Sequence, residues 1–289
     1  MSEYVIITDT SADIPASVLD KGQIHLIPMV YQLNGEEHPH KDPGSWDSKA
    51  FYDQLRNGGT GSTSQISPAV YTDYFEPFLK EGKDILYISL SGGLTSTWQS
   101  SHLAATDLME EYPERKISCV DSLAATGGQG ILVILAAQNQ EKGMSLEENT
   151  AWLEENRLHI CHWFTVDDLN HLKRGGRINA ATALFGTMLS IKPVMHTSDE
   201  GKLVPVSKVR GRKASLKALI DKIAELGIEP SEQVMFICHA DCEVEARAVA
   251  EEMKARYGVK EVYINYIGPV IGSHTGPNTM GIFFVGTKR

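Results

Sequence analysis

From residue 4 to residue 156, short β-type apolar runs alternate with helical patterns. YVIITD (4–9), the run at 84–90 and the run at 116–121 read as strands. Residues 46–56, 68–79, 94–111, 127–141 and 146–156 read as helices. Parallel strands need a crossover between them, so this alternation predicts a parallel sheet covered by helices on both faces. Residues 23–33 add one more strand, and Asn34-Gly35 signals a tight hairpin after it.

Beyond about residue 157 the pattern changes. Strands are expected at 159–166, 191–197, 203–209, 233–239, 261–267 and 280–287. Residues 198–201 (SDEG) read as a hairpin turn. Helices are expected from 167, over 179–189, 212–226 and 242–257, with a Gly, Pro and Ser-rich loop at 268–279. The expected fold class is α/β with two domains. Residues 1–157 form a parallel-sheet domain, residues 158–289 form a mixed-sheet domain, and the cleft between them is the default ligand site.

Bulk properties narrow the function. The chain has 289 residues, 42% hydrophobic and 22% charged, with a formal net charge of −10. That balance argues against general nucleic-acid binding. The opening MSEYVIITDTS enters a strand at once and lacks a signal-peptide pattern, and no apolar run is long enough to span a bilayer, so a cytoplasmic location is expected. Cys119, Cys161, Cys238 and Cys242 match no standard zinc spacing and read as buried thiols, so no metal site is expected.

Four polar stretches carry candidate chemistry. ISLSGGLTSTWQSS (88–101) runs from a strand end through Ser91-Gly92-Gly93 into a helix. A helix N-terminus with adjacent hydroxyls suits a small anion, phosphate or carboxylate. Its plainer reading is a well-capped helix. TSQIS (63–67) follows a run of glycines, and Ser62 or Thr63 serves equally well as a cap for the helix at Pro68. LKRGGRI (172–178) is either a site loop or a helix end with basic residues complementing its dipole. His274 lies in IGPVIGSHTGPNTMG (267–281) and reads either as a functional group or as a loop histidine. No G-x-S-x-G and no G-x-x-x-x-G-K-[ST] occurs, which disfavours a serine hydrolase and an ATP site in this chain.

Taken together, ITDTSADIP (7–15), TSQIS, the 88–101 stretch, VDSLAATGGQG (120–130), LKRGGRI and the His274-x-Gly-Pro loop resemble the DegV family of bacterial fatty-acid-binding proteins. Some members of that family are the binding subunits of fatty acid kinase. The resemblance implies a two-domain DegV-like fold enclosing one long-chain fatty acid at the domain interface. It implies a carboxylate held by Thr63, Thr95 and the N–H of Ser96, with His274 nearby. Arg177 would lie beside the head group or an incoming phosphoryl group, and Arg210 would dock an ATP-dependent kinase partner. The chain would hold no catalytic residue and no cofactor. Two departures are visible. Thr95 stands where the family commonly has Ser, and Asn278 replaces a usual glycine, a change that Asn tolerates because it accepts left-handed backbone.

The chemistry is coherent. An acyl tail of about 16 carbons gains roughly 0.8 kcal/mol per buried CH₂, and a buried carboxylate needs donors. Candidate tail contacts are Phe164, Leu184, Phe185, Met188, Leu189, Met195, Ile271 and Phe283. Lys202, Lys208, Arg210, Arg212, Lys213 and Lys217 cluster in sequence as a docking face or simply a solvated one. Transient contact with a membrane surface would serve lipid exchange. Two alternatives stand beside this reading: a stand-alone lipid carrier or regulator, and an enzyme acting on a small carboxylated or phosphorylated metabolite.

Overall fold

A computed structural model describes residues 3–19, 24–179 and 190–289. The first half runs β1 (Tyr4–Asp9), α1 (Ala16–Leu19), β2 (Ile24–Ile27), β3 (Met29–Leu33), β4 (Glu36–His40), α2 (Ser48–Arg56), β5 (Gly61–Ser64), α3 (Pro68–Lys80), β6 (Asp84–Ser89), α4 (Thr97–Glu111), β7 (Ile117–Asp121), α5 (Gly127–Glu141) and α6 (Leu146–Asn156). The second half runs β8 (Ile160–Thr165), α7 (Leu169–Arg174), β9 (Ile191–Thr197), β10 (Leu203–Arg210), α8 (Arg212–Leu226), β11 (Val234–His239), α9 (Glu243–Tyr257), β12 (Glu261–Tyr266), α10 (Pro269–Thr275) and β13 (Met280–Val285).

Among the described residues the strands form three sheets. One is parallel, in the order β2-β1-β6-β7. The second has six strands in the order β10-β9-β8-β13-β11-β12, antiparallel except where β11 meets β12. The third is a small antiparallel sheet, β4-β3-β5, whose hairpin turns at Asn34 and Gly35 with both φ positive, 54° and 86°. β6 is buried at every position, as a central parallel strand covered on both faces should be.

Helix α5 joins the two large sheets. It packs on β1 and β6 of one and on β8, β11 and β13 of the other. Residues 127–133 are all buried. A single apolar cluster therefore runs from Tyr4, Leu86 and Ile88 through Leu132 and Ala136 to Phe236 and Phe283. A helix apolar around most of its circumference has to be enclosed.

Several expectations need correcting. The run at 23–33 is two strands, not one. Pro28 separates them, β2 enters the parallel sheet and β3 the small one. The TSQ stretch is not a loop, because Thr63 lies on β5. The helix after Gly93 begins at Thr97, three residues later than the sequence suggests. The 268–279 loop contains α10, with Pro269 at its first position and Gly276 ending it at φ 76°. Proline is tolerated there because the first helical N–H has no intrahelical acceptor in any case. The expected helix at 179–189 falls almost wholly outside the described residues, as do Leu184, Phe185, Met188 and Leu189.

Candidate functional site

The predicted head-group residues come from four separate segments. Thr63 is on β5, Thr95 and Ser96 are in the turn before α4, Arg177 follows α7, and His274 is in the last turn of α10. All five line one cavity of about 350 Å³. Its apolar wall includes Met29, Leu90, Leu94, Phe164, Leu172, Ile271 and Phe283. Phe164, Ile271 and Phe283 were expected there. Met195 is fully buried beside Phe164 in a core cluster and is not part of the lining.

Thr63 Oγ1 lies 2.7 Å from His274 Nε2. Burial pushes His274 down to about 4, and the neighbouring Arg177 guanidinium adds to the effect. The imidazole is thus neutral around pH 7. In the Nε2–H tautomer it donates to Thr63 Oγ1, which leaves the Thr63 O–H to donate to an anion in the cavity. Arg177 is half-buried, its guanidinium bonds the carbonyl of Gly175, and burial lowers its pKa. Neither Ser62 nor Thr63 caps α3, whose N-cap position is Ser67.

The turn at 91–96 is held from outside the cavity. Ser91 Oγ donates to the Gly201 carbonyl at 2.9 Å, which docks the β9–β10 hairpin tip on the turn. A Cβ on Gly93 would fall 2.4 Å from the Glu200 carbonyl oxygen, and one on Gly92 2.5 Å from Asp121 Oδ2. These glycines admit protein neighbours. Thr95 Oγ1 lies 2.9 Å from Thr97 Oγ1. The N–H of Ser96 meets no acceptor among the described residues.

Two other motif pieces brace the cavity from below. Ser11 Oγ donates to Gln129 Oε1 at 3.0 Å, Gln129 Nε2 donates to Thr8 Oγ1 at 3.0 Å, and Tyr87 OH donates to Asp9 Oδ2 at 3.0 Å. The Thr126 N–H donates to the Ser11 carbonyl at 3.0 Å. ITDTSADIP and VDSLAATGGQG therefore meet each other. Only Ala125 and Thr126 of the two motifs reach the lining. Asn278 takes the left-handed conformation the substitution requires, at φ 59°, and its side chain donates to Asp167 Oδ2 at 2.8 Å.

Sequence reasoning missed His162, Thr126, Thr197, Thr275 and Thr279 in the lining. The period of two along β8 was the available signal for His162, since it puts His162 on the face of Phe164. Arg210 is not at the cavity. It is exposed at the end of β10. Of the basic run around it, Arg212 bonds Glu245 at 2.9 Å and Lys217 bonds Asp221 at 2.8 Å, so those two are already engaged within the fold.

A family model described as "Uncharacterised protein, DegV family" matches residues 3–287. A DegV domain-containing protein of Clostridium perfringens is 42% identical over 289 residues, covering 100% of this chain and 99% of that protein. Protein DegV of Bacillus subtilis is 32% identical, covering 96% and 97%. A fatty-acid-binding DegV family protein from Thermus thermophilus superposes with a TM-score of 0.86 at 30% identity over 99% and 100% of the two chains. A DegV lipid-binding protein from Thermotoga maritima gives 0.85 at 28% identity over 99% of each. Among the described residues no helix is long and apolar enough to cross a membrane.

Proposed function

The chain belongs to the DegV family, and from that premise we propose that it binds one long-chain fatty acid in the cavity between its two sheets. The observation that carries this reading is the pairing of a largely apolar cavity with Thr63, Thr95, Arg177 and His274 on its wall. Thr63, Thr95 and the Ser96 N–H are the carboxylate donors, and neutral His274 orients Thr63. Hydroxyls satisfy the carboxylate without a direct ion pair. Arg177 stands near enough to receive added charge. Residues 1–157 and 158–289 form the two domains whose interface is the binding site.

The chain performs no bond-making itself and has no cofactor. It offers the carboxylate to a separate ATP-dependent kinase, which docks at Arg210 and makes the acyl phosphate in the cytoplasm. The observation behind this second step is an exposed arginine at the base of a hairpin whose far tip touches the carboxylate turn. Native mass spectrometry of the purified protein tests the first step. A bound long-chain acid is expected, and an empty protein that takes up none on incubation would overturn it. The second step is tested by Arg210→Glu. Acyl-phosphate formation with the cognate kinase and ATP should fall more than tenfold while fatty-acid affinity holds. Equal loss of both would remove Arg210 from docking, and wild-type protein that supports no acyl-phosphate formation would favour the carrier reading.

A further inference from the structure

Asp13 does not line the cavity, yet it touches the element that delivers His274. It follows β1 in left-handed backbone at φ 47° and is buried, 5% exposed. Its Oδ1 accepts the Gly268 N–H at 2.9 Å, immediately before α10. Its main-chain carbonyl accepts the Asn265 side-chain amide at 2.7 Å. A Cβ on Gly268 would fall 2.6 Å from Asp13 Oδ1, so carboxyl and backbone are in direct contact. Tyr52 OH donates to the Ile267 carbonyl at 2.6 Å and tethers the same end. Helix α10 has only seven residues, and His274 is the sixth. Moving its first residue moves the imidazole.

The other carboxyl oxygen is the unusual one. Asp13 Oδ2 is buried and accepts no hydrogen bond of normal geometry among the described residues, and the Thr126 hydroxyl beside it is likewise without a well-formed bond. Asp13 and His40 border the same small cavity of about 20 Å³, and both ring nitrogens of His40 also lack partners. A charged carboxylate is poorly served there. Burial pushes Asp13 up to about 7, and the nearby Asp9 carboxylate adds to the rise against the Thr126 hydroxyl and the Gly268 N–H. The titratable groups around it are Asp9 on its own strand, His40 from β4, Tyr52 from α2 and Cys238 from β11. His40 is driven down to about 4 by burial, Cys238 is pushed up to about 12 and Tyr52 well above its ordinary value. All three are neutral at pH 7, so none of them supplies a cation.

We propose that Asp13 is a positioning residue whose carboxyl, accepting the Gly268 N–H, anchors α10 and thereby sets His274 against Thr63 in the binding cavity. The proposal rests on the fatty-acid reading for its ligand and on geometry alone for its anchor. Ionising Asp13 places an uncompensated charge under α10. A group whose folded pKa is raised contributes stability that is complete below its unfolded value, near 3.8. That contribution is lost as pH rises through the folded value. Binding that needs the protonated carboxyl follows its fraction in the folded protein, so fatty-acid affinity should be steady well below pH 7 and fall above it. His274 titrates well below this window.

The test measures the Kd of a fluorescent long-chain fatty acid from pH 5.5 to 8.5 and amide exchange across residues 268–275 in unliganded protein. If binding needs neutral Asp13, wild type should bind about tenfold more weakly at pH 8 than at pH 6. Asp13→Asn keeps an acceptor for the Gly268 N–H and cannot ionise, so its affinity at pH 6 should persist to pH 8. Asp13→Ala should bind weakly at every pH. Exchange in wild type should rise above pH 7 beyond its intrinsic pH dependence, and in Asp13→Asn it should not. Identical pH profiles for wild type and Asp13→Asn, in binding or in exchange, would overturn the proposal. If no fatty acid binds at any pH, the ligand reading fails, and the exchange experiment still decides the anchor.

Discussion

Thr63 and His274 are 211 positions apart in sequence and 2.7 Å apart in space. In the Nε2–H tautomer the imidazole uses only one of the two hydroxyl lone-pair directions, and the O–H is left for a ligand. Thr63→Ala should weaken fatty-acid binding by about 1.5–3 kcal/mol, roughly tenfold to a hundredfold, as expected for a hydrogen bond to a charged group. Isothermal titration with a single acid measures it, and an unchanged Kd would take Thr63 out of the site. The residue types of this site were readable in the sequence: hydroxyls next to glycines, an arginine after a Gly-Gly, a histidine among small residues. Their roles were less readable. Gly93 read as part of the turn before a helix, and its neighbour is the Glu200 carbonyl, contributed by a hairpin more than a hundred residues away. His162 looked like a strand residue and nothing more, because period-two patterning names a face and not what that face borders.

Among elements, legibility followed the strength of the pattern. Helices α5 and α6 were expected at 127–141 and 146–156 and lie there, since long apolar or amphipathic periodicity leaves little competition. Helix α10 was missed because Gly272, Ser273 and Gly276 give it the composition of a loop. Its helicity comes from packing: a Cβ at Gly272 would lie 2.5 Å from Tyr52 OH, and one at Gly276 2.4 Å from the His171 ring. β5 was missed for a related reason, as GSTS has no apolar residue and is a strand only because β3 pairs with it. The β9–β10 hairpin allows a test at this scale. Gly93→Ala should push the hairpin tip off the turn, with an overpacking penalty of about 1–3 kcal/mol. Thermal unfolding would show a Tm several degrees lower and a faster fatty-acid off-rate. A Tm within one degree of wild type would mean that the hairpin contact contributes little.

For the whole molecule, two sheets share one apolar cluster through α5. The parallel-sheet and mixed-sheet regions proposed as domains should therefore unfold together. Calorimetry should give a single transition with calorimetric and van't Hoff enthalpies in agreement. Two resolved transitions would show that each half holds its own core. A ligand at about a hundred times its Kd stabilises the native state by about 2.7 kcal/mol. At roughly 2–4 °C per kcal/mol for chains approaching this size, Tm should rise by about 5–10 °C. The alternation of strands and helices made the parallel sheet foreseeable. The order of the six-stranded sheet was not foreseeable, because hairpin and crossover signals fix neighbours in sequence and leave β13 between β8 and β11 undetermined.

The enclosure of α5 also bears on how such a protein can diversify. A helix that serves two sheets at once has almost no position free to drift. Gly128, for example, has no room even for a methyl group beside His162. Changes in which acid is held should therefore accumulate on the cavity lining, which takes no residue from α5, at apolar positions such as Leu94, Leu203 and Ile271. In a saturation library selected for ligand retention, residues 127–137 should stand out as the most intolerant run in the chain.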